Sequence, residues 1–489
     1  MRSLNQLDFN NTFSRLPEGF YSSLPATPLH NPKFVAYSPS AGQLLDLQDS
    51  TALRDQLTQV CSGNAILPGS EPIATVYSGH QFGVYVPQLG DGRSLLLGEV
   101  RNSQDEKWDL HLKGGGPTPY SRFGDGRAVL RSCIREYLAS EALYHLGIPT
   151  TRALCIVTSE TPVYREETEA GSTLLRLAKS HIRFGHFEYF YYTKRYDNLE
   201  TLANYVIEQN FPQLLSHESK EDQFIQLFEI VVQSTAKLIA QWQAVGFAHG
   251  VMNTDNMSII GDTIDYGPYS FMDDFNWHYI CNHSDHQGRY AFSQQPEIGY
   301  WNCSRLAQAL TPLIKNSARL QTVLDSYPQI YSDTYKQLMG QKLGLTSEES
   351  DDESLLQSLL QLMHSSGCDY TQFFRALCDF SVHGSGTKLQ KLINKPELPN
   401  WLDAYSERLK KNNISDEEHS SQMKQANPKY ILRNYLAQQA ITKAEQGDYS
   451  EIEKLMRVLS SPFEEHPDYE EYANTPPEWG KKLEVSCSS

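Results

Sequence analysis

The run His249-Gly250-Val251-Met252-Asn253-Thr254-Asp255-Asn256-Met257 places a histidine-glycine pair and an adjacent aspartate and asparagine in one short polar stretch. Before it, residues 221–245 carry Phe224, Leu227, Phe228, Ile230, Val231 and Leu238 at three- and four-residue steps, the spacing of one apolar helix face, and Gly246 ends the pattern. After it, Ser258-Ile259-Ile260 and Thr263-Ile264 flank Gly261-Asp262, which reads as a second small hairpin, and Asp265-Tyr266-Gly267 follows.

Long helix, His-Gly, Asp-Asn loop, short hairpin and Asp-Tyr-Gly is the order in which kinase-like enzymes arrange a catalytic loop and a D-F-G motif. In those enzymes the base aspartate precedes a metal-binding asparagine by five residues, but five residues before Asn256 stands Val251. The usual base is missing. Asn256 and Asp265 retain metal-ligand chemistry, and Asp255 is the carboxylate that could take the base's place from another direction.

Upstream, Trp108-Asp109-Leu110-His111-Leu112-Lys113 alternates strictly, with Lys113 on the polar face of a strand. Glu136 lies 23 residues on, within a helical pattern over 127–146 built on Leu130, Cys133, Ile134, Tyr137 and Leu138 and ended by Gly147 and Pro149. A strand lysine paired with a helix glutamate is the kinase device for holding nucleotide phosphates. The tetrapeptide Gly-Asp-Gly-Arg occurs at 90–93 and again at 124–127. The first copy, between Val84-Tyr85-Val86 and 94–100, reads as a hairpin tip that could cover a nucleotide. The second, ahead of the helix, suits phosphate oxygens. Neither copy matches G-x-G-x-x-G or a P-loop. Arg176 and Arg183 are suited to bidentate phosphate contacts, provided their segment returns to the cleft.

Residues 1–70, rich in Pro, Asn and Ser, read as an irregular N-terminal arm. Residues 71–196 read as a β-rich nucleotide-binding lobe with further strands at 151–157 and 172–177. Residues 197–461 read as a helical lobe with the catalytic loop and metal site, and 462–489 as an extended tail. This is an α+β, two-lobe layout.

The 489 residues include 59 acidic and 42 basic side chains, a net charge of −17. That balance argues against duplex nucleic acid and an anionic membrane as partners. No apolar run approaches the ~20 residues of a bilayer span. The start MRSLNQLDFNNTF lacks an apolar leader core and carries Asp8, so a cytoplasmic setting is expected. The eight cysteines form no C-x-x-C pair and read mostly as buried small apolar residues.

With Tyr77-Ser78-Gly79-His80-Gln81-Phe82-Gly83, the run Gln88 to Arg93, His111-Leu112-Lys113-Gly114-Gly115-Gly116-Pro117-Thr118-Pro119-Tyr120-Ser121-Arg122, Gly124-Asp125-Gly126-Arg127-Ala128, the 249–257 loop and Thr263-Ile264-Asp265-Tyr266-Gly267-Pro268, the chain resembles the SelO/YdiU (selenoprotein O) family over nearly its whole length. Members of that family are protein adenylyltransferases with a pseudokinase fold. The resemblance implies a protein-kinase-like two-lobe fold with family-specific N- and C-terminal extensions. It implies ATP bound in a flipped orientation and AMP transferred to Ser, Thr or Tyr hydroxyls of protein substrates with release of pyrophosphate. UMP transfer from UTP with Mn2+ is a further implied reaction. Carried over by motif, Lys113 would hold phosphates and pair with Glu136, while Gly90, Gly92, Arg93, Asp125, Gly126, Arg176 and Arg183 would line the nucleotide site. Asn256 and Asp265 would bind Mg2+ or Mn2+, with Asp255 the proton acceptor. The family's terminal cysteine or selenocysteine implies a redox disulfide between Cys281 and Cys487. Two alternatives stay open on the residues alone: a kinase transferring the γ-phosphoryl group, and a catalytically dead nucleotide-binding scaffold.

Overall fold

The alternating run at 108–113 forms all but the first residue of the strand Lys107–Lys113, at the centre of an antiparallel sheet. The computed structural model describes residues 2–217, 219–381, 386–412 and 414–485. In the sheet, Lys107–Lys113 lies between Ser94–Arg101 and Thr168–Ala178, and Arg152–Tyr164 follows outward. The expected strands at 151–157 and 172–177 are thus the inner parts of two longer ones.

The sheet edges come from the segment expected to be an irregular arm. Tyr21–Ser23 pairs with Ile73–Thr75, and Lys33–Tyr37 pairs with Arg152–Tyr164. The same segment holds a helix, Thr51–Cys61, whose first turn is capped by the Ser50 hydroxyl and whose apolar face covers the sheet. Its short strands lack a long alternating run, so only their partners mark them as strands.

Helix Leu130–His145 packs on the other side of the sheet, and almost all of it is buried. It starts three residues later than its pattern suggests, because Ala128-Val129 pairs with Gly171 and Ser172. The second Gly-Asp-Gly-Arg loop therefore does not open directly into a helix N-terminus.

The helical lobe is built around Lys220–Ala244, against which Gln295–Leu310 and Tyr327–Lys342 pack. This core helix ends at Gly246 in left-handed backbone. The chain then makes a two-residue strand, Phe247–Ala248, which pairs with Ser270–Phe271 and pinches off the loop at 249–269.

Three expected local features take another form. Val84–Val86 folds back on Gly79–Gln81 through a Phe82-Gly83 turn, leaving 90–93 as a loop that enters Ser94–Arg101 rather than a hairpin tip. The pieces around Gly261-Asp262 do not pair with each other. Ser258 bridges Arg183, and Thr263 bridges Thr150, because neighbouring loops reach those backbone groups first. The segment after Pro462 is not simply extended: it holds 3-10 turns at Pro467–Ala473 and Gly480–Lys482.

Helices Asn434–Glu445 and Ser450–Leu459 pack against Leu130–His145 in one shared core with Tyr266 and Tyr269. No helix among the described residues is long and apolar enough to cross a membrane. The expected Cys281–Cys487 pairing reaches outside the described residues at Cys487, whereas the other seven cysteines are buried.

Candidate active site

Lys113 ends its strand facing Leu130–His145, so its Nζ meets Glu136 Oε2 at 2.5 Å, with both groups buried. Burial lowers the Lys113 ammonium, against the pull of Glu136. Arg176 lies opposite His111 on the adjacent strand, on the same face as Lys113. Its Nε is 2.6 Å from Glu136 Oε1 and its Nη1 is 2.6 Å from Asp265 Oδ1. Arg183, buried just before helix Phe184–Tyr192, donates from Nη1 to Asp265 Oδ2 and to the Asp255 carbonyl, the latter at 2.9 Å. The two arginines therefore do return to the cleft.

Asp265 has a φ of +57°, left-handed backbone that turns its carboxylate back toward this cluster. Burial works to raise its carboxyl, but Arg183 and Arg176 outweigh it and hold the group well below the ordinary carboxylate range. Tyr266 points the opposite way, into the core beside the Glu136 helix, and its hydroxyl bonds to Thr150. His249 stacks on Trp242, and its Nε2 lies 2.9 Å from the Ile264 carbonyl, which fixes the loop to the Asp-Tyr-Gly turn.

Thr254–Asn256 is a single 3-10 turn. Asn256 donates its amide N–H to the Val251 carbonyl at 3.0 Å, leaving the side-chain oxygen outside that bond. Asp255 is buried and accepts from Gln81 Nε2 at 3.1 Å through Oδ2, while its Oδ1 has no hydrogen-bond partner among the described residues. Burial pushes this carboxyl up to about 7, with the Gln81 hydrogen bond and Arg183 opposing.

Lys113, Arg176, Arg183, Asp255, Asn256 and Asp265 border one cavity of about 680 Å³, a volume that suits a nucleoside triphosphate. Both Gly-Asp-Gly-Arg loops line it. The first is anchored from beneath by Asp91, which accepts from Thr75 N–H at 2.9 Å and Thr75 Oγ1 at 2.6 Å. The connecting segment ties the loops together, with Thr118 Oγ1 donating to the Asp91 carbonyl at 2.7 Å and Gly116 N–H to the Gly126 carbonyl at 3.0 Å. Arg93 is an exposed guanidinium at the mouth. Asp125 sits at the rim in a bidentate pair with Arg165, at 2.8 and 3.0 Å.

The cavity thus gathers Gly90, Gly92, Arg93, Lys113, Asp125, Gly126, Arg176, Arg183, Asp255, Asn256 and Asp265, with Glu136 behind them. Sequence reasoning gave no site role to Gln81, Arg122, Asn253 or Arg165, which also line it. Gln81 stands in the Tyr77 to Gly83 run, but no chemical pattern in that run marks it.

A strand lysine already held by a helix glutamate, facing an aspartate in left-handed backbone at the end of a loop, defines this as a nucleotide-binding protein of the protein-kinase fold. The loop departs from a kinase in having Val251 at the base position, with its carboxylate at Asp255 instead. The family profile described as "Protein adenylyltransferase SelO" matches residues 3–460, and the chain belongs to that family. It is 52% identical over 491 residues to "Protein nucleotidyltransferase YdiU" of Pseudomonas fluorescens (strain SBW25), covering 100% of both chains. The protein of the same name from Myxococcus xanthus (strain DK1622) is 52% identical over 492 residues, and that from Pseudomonas aeruginosa (strain UCBPP-PA14) 51% over 490, each again at full coverage of both chains. This chain is an enzyme of the nucleotidyltransferase class.

Proposed function

We infer that the chain transfers AMP from ATP to the hydroxyl of a serine, threonine or tyrosine on a protein substrate. The observation that carries this reading is the Asp255 carboxylate, buried at the cavity, while Val251 occupies the position of a kinase base. The acceptor oxygen attacks the α-phosphorus in line. The bond from that phosphorus to the oxygen bridging the α- and β-phosphates breaks, pyrophosphate leaves with that oxygen, and the hydroxyl proton passes to Asp255. A carboxyl raised to about 7 is matched to accepting a proton near neutral pH.

Lys113, Arg93, Arg176 and Arg183 hold phosphate oxygens, and Glu136 keeps Lys113 extended toward them. Gly90, Gly92, Asp125 and Gly126 wall the nucleotide. Asn256 and Asp265 would hold a divalent cation, Mg2+ or Mn2+. The donor set fits: an amide oxygen and a carboxylate border the same cavity, and each Asp265 oxygen keeps a lone pair beyond its arginine bond. Among the described residues no three His, Cys, Asp or Glu side chains form a cage, which suits an ion that also takes phosphate oxygens and water. When bound, the ion offsets charge building on the phosphates.

The test is transfer of label from ATP into protein. Label from the α-phosphate supports the reading, whereas γ-label alone, or no incorporation, overturns it. The same assay with α-labelled UTP and Mn2+ tests the second donor.

We also infer, from the family resemblance, that Cys281 and Cys487 join as a disulfide when a disulfide or peroxide oxidant removes two electrons and two protons. His283 N–H donates to the Val485 carbonyl at 3.0 Å, which brings the tail beside the Cys281 segment. Peptide mapping under non-reducing conditions should yield a linked 281–487 peptide; its absence from oxidised protein overturns the pairing.

A further inference from the structure

We propose that Gln81 is the positioning residue for the Asp255 carboxylate and that the Gly79–Gln81/Val84–Val86 hairpin holds it in place. The proposal rests on the reading of Asp255 as proton acceptor. Among the described residues, Gln81 is the side-chain donor to that carboxylate, at 3.1 Å from Oδ2, and it lines the cavity beside it. That bond fixes the rotation of the carboxylate, whose other oxygen, Oδ1, is buried against Gly79 without a hydrogen-bond partner among the described residues.

Each residue from 79 to 82 meets the catalytic loop. A Cβ at Gly79 would lie 2.8 Å from Asp255 Oδ1 and 3.1 Å from its backbone nitrogen, so only glycine permits this approach. His80 N–H donates to Thr254 Oγ1 at 2.7 Å. Thr254 Oγ1 donates in turn to Glu188 Oε2 at 2.6 Å, and the His80 ring Nδ1 is 2.7 Å from Glu188 Oε1. This buried triangle locks the strand that carries Gln81 to the turn that carries Asp255.

The Phe82-Gly83 turn is left-handed at both positions, with φ of +50° and +82°, the form a two-residue hairpin needs. Phe82 pays for that backbone with its N–H bonds to the Tyr290 hydroxyl at 2.9 Å and to Asn253 Oδ1 at 3.2 Å. The Tyr290 hydroxyl also donates to Asn253 Oδ1 at 2.6 Å. Arg289 packs its guanidinium over Trp301, 4.6 Å from the ring centroid, and against Gly83, backing the hairpin from outside. A hairpin this short has little stability alone, so these contacts decide where Gln81 points.

The experiment compares the full-length parent with Gln81→Leu, which removes the donor at similar size, and Gln81→Glu, which keeps the shape and replaces the donor. Single-turnover AMP transfer, MgATP affinity by calorimetry and melting temperature are measured for each. The expected result is a kcat lowered about 10- to 100-fold in both variants, with KM for ATP and MgATP affinity within about twofold of the parent. In an Asp255→Asn background, Gln81→Leu should lower transfer no further, because the group it orients is gone. Parental kcat in either variant, or equal losses with and without Asp255, overturns the proposal. A loss of MgATP affinity or melting temperature matching the loss of rate also overturns it, by making Gln81 structural. A parent that fails to transfer α-label overturns the function itself, a result distinct from all of these.

Discussion

Asp255 sits in a turn held by other side chains: Asn253 to Tyr290, Thr254 to Glu188, and Asn256 to the Val251 carbonyl. Its own carboxylate carries little of that framework. Asp255→Asn should therefore lower single-turnover transfer about 10²–10⁴-fold while ATP affinity and melting temperature stay near the parent's. Lys342 poses a different problem. It is buried, its Nζ lies 4.5 Å from the Phe374 ring centroid, and it has no ion pair among the described residues. Burial lowers its ammonium to about 7, with Cys378 opposing, against roughly 10.4 for a free lysine. The unfolded chain thus binds an extra proton between about pH 7 and 10, so folding stability from this group rises with pH through that window and is lowest below it. Lys342→Met should stabilise the protein by roughly 2–4 kcal/mol at pH 6, and the gain should shrink toward pH 10. Urea unfolding at both pH values measures it, and a gain independent of pH would contradict the assignment.

Among the elements, the paired glycine loops at 114–117 and 124–127 show how close backbone approach shapes the cavity wall. Gly126 has a φ of +67°, and a Cβ there would fall 2.1 Å from the Gly116 carbonyl oxygen. Neither loop can yield without losing the Gly116 to Gly126 hydrogen bond and shifting the Asp125–Arg165 pair. Gly126→Ala should lower ATP affinity at least about tenfold and destabilise the fold by about 1–3 kcal/mol. Calorimetric titration with ATP, alongside thermal melting, reads both. An unchanged affinity would mean that the loop does not contact the nucleotide.

At the scale of the whole molecule, the C-terminal helices reach back to the β-rich lobe. Leu455 is fully buried in the core that Ser450–Leu459 shares with Ile134, Tyr137 and Leu138 of the Glu136 helix. Arg135 ties the same helix to two parts of the helical lobe, donating to the Tyr269 carbonyl at 2.9 Å and to Asn434 Oδ1 at 3.3 Å. A loss of packing some distance from the cavity should therefore be felt at Lys113. Leu455→Ala should lower stability by about 2–5 kcal/mol and weaken ATP binding as the Glu136 helix loosens. Denaturant unfolding and nucleotide titration check the two effects, and a destabilised variant with parental ATP affinity would show the C-terminal helices to be uncoupled from the site.

Sequence alone determined what depends on neighbours along the chain. Alternation marked a strand at 108–113, and a three-to-four spacing marked helices at 127–146 and 221–245, which fold as Lys107–Lys113, Leu130–His145 and Lys220–Ala244. The order of motifs placed Lys113, Glu136, Asp255, Asn256 and Asp265 around one cleft, and simple counting put Val251 where a kinase keeps its base. Short strands were beyond that reach. Val84–Val86 pairs backward through Phe82-Gly83, although Gly90-Asp91-Gly92-Arg93 offers the stronger turn signal, because Tyr290 and Asn253 hold the unfavourable Phe82 backbone from distant parts of the chain. Tyr21–Ser23 and Lys33–Tyr37 become strands because open sheet edges wait for them, and Ser258 and Thr263 bridge Arg183 and Thr150 in neighbouring loops rather than each other. Gln81 beside Asp255, and Arg165 beside Asp125, were likewise settled only by tertiary structure. Periodicity is carried by adjacent residues, whereas the partner of an edge, a buried oxygen or a guanidinium is chosen by competition across the folded chain.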